Sequence, residues 1–194
     1  FDTGCTLGAY CTITVPGTGL PKDGSRYEVL IAVNDSAAPC AAGLTAASFR
    51  GMQNPRNCED DANDNTFKMG TPMGGSTAMP YVLCWEDAPT TLDSRGGSPL
   101  SEYSYTIGAF TMNGPDPQDY VCTMGMACLV DLLGAGLASG NALFVIVGED
   151  YLVCQALVEE NVKSLGSTFS NPKAAADASP YGTYDLGSAA ALRP

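Results

Sequence analysis

The chain has 194 residues, with 21 acidic against nine basic side chains, a net charge of −12, eight cysteines and no histidine. This balance leaves no basic stripe for phosphates, which argues against nucleic acid or an anionic membrane surface as partner. The missing histidine rules out Ser–His and Cys–His catalytic pairs.

Taken in order, the first element is a frame at 5–20, Cys-Thr-Leu-Gly-Ala-Tyr-Cys-Thr-Ile-Thr-Val-Pro-Gly-Thr-Gly-Leu, which returns at 122–137. Seven of its sixteen positions are identical at a constant offset of 117, where roughly one is expected by chance, so the chain is an internal repeat. They are Cys5/Cys122, Thr6/Thr123, Gly8/Gly125, Cys11/Cys128, Gly17/Gly134, Gly19/Gly136 and Leu20/Leu137. Next come β-branched, apolar runs at 26–33 and 142–147, each followed by a cysteine, Cys40 or Cys154. Both runs have the length and composition of strands. The offset of 117 then recovers at Asn54-Pro55 and Asn171-Pro172, at Asp60 and Asp177, and at 66–70 and 183–187. Length changes confined to the middle are those of loops on a fixed scaffold.

Copy one continues through a predicted strand at 80–85, with the only tryptophan, an exposed loop at 89–101, and a last strand at 103–112. The turn-forming cluster at 113–117 marks the boundary between copies. A helical spacing occurs only at 154–164, so under about a tenth of the chain is expected to be helical. Copy two ends at Pro194, equivalent to position 77, before counterparts of the last two strands. The expected fold is all-β: two tandem immunoglobulin-like β-sandwich units, 1–115 and 116–194, the second incomplete. Inward positions should include Val29, Ile31, Val82, Cys84, Val145 and Val147.

The strand at 12–15 followed by Gly-x-Gly-Leu resembles the signature of immunoglobulin-like domains of the IPT/TIG type. The larger unit runs Cys-Thr-Leu-Gly-x-x-Cys, Gly-x-Gly-Leu, Asn-Pro, Tyr-x-Leu-Cys-Trp and Gly-Pro. It is similar to tandem repeats of large extracellular proteins in unicellular algae and their alveolate relatives. The resemblance covers copy one and the first two-thirds of copy two. It implies a secreted, modular surface or filament-forming protein with no catalytic residues.

The cysteines, Cys5, Cys11, Cys40, Cys58, Cys84, Cys122, Cys128 and Cys154, lack short Cys-x-x-Cys zinc spacings and read as a disulfide framework in an extracellular chain. Reduction should therefore cost several kcal/mol. Copy one holds five of them and copy two three, so full oxidation needs a bond between copies or between chains. Cys58, replaced by Ala175 in copy two, is the first candidate. Asn34-Asp35-Ser36 is a glycosylation sequon. No run reaches the roughly 18 apolar residues of a membrane span. Phe1 opens no signal-peptide pattern, which reads as a processed or trimmed start.

Among possible sites, Asp61, Asn63 and Asn65 alternate like the opening of a calcium loop, but Thr66 and Pro72 stand where glycine and a bidentate glutamate are needed. A solvated acidic loop is the plainer reading. The Gly-x-Gly stretches are no phosphate loop, since neither Lys-Ser/Thr nor a helix start follows. Trp85 is read either as packed on a disulfide or as a glycan-stacking platform. The methionines 69, 73, 79, 112, 124 and 126 read as gap-fillers or interface residues.

The expected function is non-enzymatic and cofactor-free: a subunit of an extracellular filament, hair or coat, with copies of itself as head-to-tail partners. The alternative is a module that binds glycans or adheres through its loops. The shortened copy two, with unpaired edges and an open core, suggests strand addition from another chain.

Overall fold

A computed structural model describes residues 1–18, 27–34, 40, 45–57, 65–87, 100–145, 169–175 and 182–188. The protein is all-β, and its one helical element among the described residues is the 3₁₀ turn Leu100–Glu102. Compact units span Phe1–Gly114 and Pro115–Pro194.

Unit 1 contains β1 (Asp2–Thr6), β2 (Cys11–Thr14), β3 (Glu28–Val33), β4 (Arg50–Met52), β5 (Arg56–Asn57), β6 (Thr66–Gly74), β7 (Tyr81–Glu86) and β8 (Tyr105–Pro115). One sheet has the order β1-β8-β7-β3-β5, and the other β2-β6-β4. β2 alternates, with Cys11 and Ile13 buried and Thr12 and Thr14 exposed, because one of its faces meets water. By contrast β3 is apolar without interruption from Val29 to Val33, and both its faces are covered.

The core lies between the sheets. Val29, Ile31, Leu83, Phe110 and Met112 of the first sheet meet Ile13, Phe67 and Met69 of the second. A smaller cluster sits on the far face of the first sheet: Leu30, Ala32, Val82 and Cys84, with Cys40 and Tyr103. All four predicted inward residues of unit 1 are buried, but Val82 and Cys84 point away from Val29 and Ile31. The run Tyr-Val-Leu-Cys-Trp carries no alternation from which to assign a face. The same alternation of side chains corrects the placement of Trp85. Its neighbour Cys84 turns to the smaller cluster and pairs with Cys40, while Trp85 turns to the main core and stacks on Tyr27 at 4.7 Å. The tryptophan therefore packs on aromatic rings, Phe67 included, and not on the Cys40–Cys84 bond.

Unit 2 contains β9 (Ala127–Asp131), β10 (Gly134–Ala135), β11 (Ala142–Leu143), β12 (Lys173–Ala174) and β13 (Thr183–Ser188). Two of its ladders repeat ladders of unit 1. β9–β13 reproduces β2–β6, including the irregularity that carries register from Cys11↔Gly70 to Thr12↔Lys68 and from Cys128↔Gly187 to Leu129↔Asp185. β11–β12 reproduces β3–β5: Leu143↔Lys173 stands for Val29↔Arg56. Cys128, Val130, Ala175, Tyr184 and Leu186 form the core, with Leu143, Val145 and Phe169 against it. Val145 is thus partly buried, while Val147 and the helical spacing at 154–164 lie outside the described residues. Positions equivalent to β7 and β8 would fall beyond residue 194.

Candidate functional site

The repeat frame is itself the most strongly built feature. Cys5–Cys11 and Cys122–Cys128 close the same six-residue loop, with Cα atoms 5.4 Å apart in both. Gly8 and Gly125 turn these loops at φ of 80° and 81°, a conformation that costs side-chain-bearing residues energy. Cys40–Cys84 ties the loop after β3 to β7. These three pairs use six of the eight cysteines, and Cys58 and Cys154 lie outside the described residues.

Sequence reasoning registered Asn54-Pro55 and Asn171-Pro172 only as matching positions, and the structure gives both asparagines a task. The Asn54 side chain accepts from the Ile31 N–H at 2.8 Å and donates to the Ile31 and Ala47 carbonyls at 2.7 and 2.8 Å. Asn171 accepts from the Val145 N–H at 2.9 Å and donates to the Val145 carbonyl at 2.6 Å. Each carboxamide mimics a peptide group on the edge of its strand, in unit 1 between the β5 pairing and the Ala32–Ala46 bridge. Both Asn–Pro peptides are cis. The clamp also fixes the offset of the middle segment at 114, Ile31 to Val145, which agrees with Cys40 and Cys154. The signal was legible as a repeated dipeptide, but its role was not, because the bonded residues are 23 and 26 positions away.

Among the other predicted sites, Asn34 is exposed at the end of β3, and its N–H donates to the Pro80 carbonyl at 2.9 Å. Asp61 and Asn63 lie outside the described residues. Asn65 donates its side-chain amide to the Val15 carbonyl at 3.0 Å and accepts the Val15 N–H on its own carbonyl at 2.8 Å, pinning the end of β2. No group of three acidic or cysteine side chains able to hold a metal occurs among the described residues.

Two further features lie at the β7 end of unit 1. Val15, Pro16, Trp85, Tyr105 and Ile107 line a cleft of about 320 Å³. Trp85 and Tyr105 are cross-strand partners in it, and Tyr105 is 66 % exposed. On the other face of the sheet, Glu28 and Glu86 are register partners, and Tyr103 donates to the buried Glu28 carboxylate at 2.5 Å. Partial burial, then the nearby Glu102, Asp87 and Glu28 carboxylates, raise Glu86 above the ordinary value of 4.5. An apolar cleft with aromatic walls can stack a flat or ring-shaped ligand. Among the described residues these carboxylates meet no metal set.

No protein-family model, curated protein or solved structure matches the chain.

Proposed function

We propose that this protein is a structural subunit of a secreted filament, hair or cell-surface coat, assembling head to tail with copies of itself. The observation that carries this reading is the parallel pairing of β1 with β8, the first and last strands of unit 1. Asp2 lies level with Ala109, and Gly114 is five residues further along β8, so the chain enters and leaves the unit about 16 Å apart along the strand direction. Units that admit the chain at one end and release it at the other can be strung into an extended array. Heterologous contacts of this kind grow into open filaments unless they close a ring.

The disulfides suit an oxidising, extracellular setting, and no described helix is long and apolar enough to cross a membrane. Exposed Asn34 fits glycosylation on such a surface. The three bonds leave one cysteine in each unit, Cys58 and Cys154. Both are candidates for links between units or between chains, and peptide mapping under non-reducing conditions identifies their partners. Cys58 and Cys154 both remaining free would remove the covalent part of the assembly reading.

The Trp85–Tyr105 cleft favours a second reading, a glycan-binding or adhesive module. Sedimentation velocity and a glycan array on the purified oxidised chain separate the two. Growth of open-ended species with concentration, without selective glycan binding, supports the structural role. A strict monomer that binds a defined glycan, and loses it on Tyr105→Ala, supports the second.

A further inference from the structure

Unit 1 carries an exposed aromatic side chain at one end and an aromatic cleft at the other. Tyr10 immediately precedes β2, and Val15, which lines the cleft, immediately follows it. The length of the strand, about 13 Å, therefore separates them. Tyr10 is 64 % exposed on the loop closed by Cys5–Cys11. Two bonds hold that loop further: the Ala9 N–H donates to the Thr6 carbonyl at 3.1 Å, and the Gly8 N–H to the Pro72 carbonyl at 2.7 Å. Its fold does not require the tyrosine. The Cys122–Cys128 loop keeps the same Cα separation and glycine conformation with Ala127 in place of Tyr10. Charge also differs between the two ends. Glu86 and Asp87 follow Trp85 at the cleft end, and Glu102 stands three residues before Tyr105. At the Tyr10 end the segments 7–11 and 70–80 hold no charged residue, and exposed Arg50 lies level with Gly74 of β6.

We propose that the Trp85–Tyr105 cleft is a socket for the Tyr10 loop of a second copy of this chain. Charge complementarity supports this occupant, because the end that bears Arg50 meets the end that bears Glu86, Asp87 and Glu102. The chemistry agrees. A tyrosine ring packs offset or edge-on against Trp85 and Tyr105, and Val15, Pro16 and Ile107 supply apolar contact. An aromatic side chain on a disulfide-closed loop also needs little further ordering on docking, which suits it as an anchor. Knob and socket lie at opposite ends of one unit, so the contact is heterologous. Every docked copy presents a fresh knob and a fresh socket, and growth continues unless a ring closes. The proposal rests on the self-assembly reading and names the contact that carries it.

Sedimentation velocity on the full oxidised chain and two variants tests this. Tyr10→Ala removes the knob and Tyr105→Ala removes a wall of the socket. Both side chains are mostly exposed, so both variants should fold as the parent does. The parent should grow with concentration, and each variant alone should associate about ten-fold or more weakly. An equimolar mixture of the two should form a 1:1 dimer and stop there, because the intact knob of one fits the intact socket of the other. Tryptophan emission, which reports Trp85 alone, should change on mixing. Two results overturn the proposal and leave the structural role standing: a Tyr10→Ala chain that grows like the parent, or a mixture that stays monomeric while the parent grows. A parent that stays monomeric at every concentration overturns the structural role and this contact together.

Discussion

β3 in unit 1 and β11 in unit 2 are held by the same asparagine clamp and the same short partner strand, yet among the described residues β3 is paired on both edges and β11 on one. β3 has β7 on its far edge and apolar groups on both faces, which buries Val29, Leu30, Ile31 and Ala32 completely. Among the described residues β11 has partners on the Asn171 side alone, with Leu143 and Val145 against the core of unit 2, and Phe144 is exposed. The difference teaches that the frame is specified by a few backbone-directed residues, and the amount of apolar burial is a separate variable. Asn54 and Asn171, Gly8 and Gly125, and Gly70 and Gly187 set register in both units, although the residues packed between them differ.

The comparison breaks most sharply at the disulfides. Removing Cys40–Cys84 in a double alanine variant should destabilise unit 1 by about 4 kcal/mol, and removing Cys122–Cys128 should cost unit 2 about 2 kcal/mol, because the closed loops differ so much in length. Urea unfolding with the two transitions resolved measures both. Equal losses would show that loop closure is not what separates them.

Next in size, Asn54→Ala removes three hydrogen bonds and Asn171→Ala two, giving losses of about 3 and about 2 kcal/mol at roughly 1 kcal/mol per bond. Neutral behaviour of either variant in the same experiment would deny the clamp its role. Gly8→Ala and Gly125→Ala sharpen the likeness instead. Neither added methyl would meet an atom within 4 Å, so each should cost only the strain of a positive φ, about 1 kcal/mol and equal in the two units. Unequal costs would mean that the two loops are not the same structure.

The smallest effect is a pH dependence at Glu86 in unit 1. Glu86 binds its proton more tightly folded than unfolded, since its carboxyl is raised from 4.5. That contribution is fully present below about 4.5 and is lost as pH rises through the folded value. Glu86→Gln should therefore gain stability relative to the parent between pH 4 and 7, while unit 2, with Ala142 in place of Glu28, shows no matching change. A Gln variant that tracks the parent across this range would contradict the assignment.

Much of the fold was legible because strands leave local signatures. The 26–33 and 80–85 runs appear as β3 and β7, and the 103–112 run appears shifted as β8. The constant offset was read as a repeat, and the β2–β6 pairing recurs at that offset as β9–β13. What could not be read depends on distant partners. Two apolar strands buried on both faces give no period, so the sequence could not tell which face Cys84 or Trp85 would take. The Trp85–Tyr105 cleft joins residues brought together by the β7–β8 register, and the parallel β1–β8 contact joins positions more than a hundred residues apart. Neither leaves a mark on the local pattern. The clamp was visible only as Asn-Pro twice.

Electron microscopy of the native material tests the structural role most directly. The expected result is unbranched filaments or a regular coat, with a spacing on the order of 35 Å per sandwich unit, the length of an 11-residue strand such as β8. Dispersed single particles at the native concentration, or units stacked side by side with no axial repeat, would contradict it.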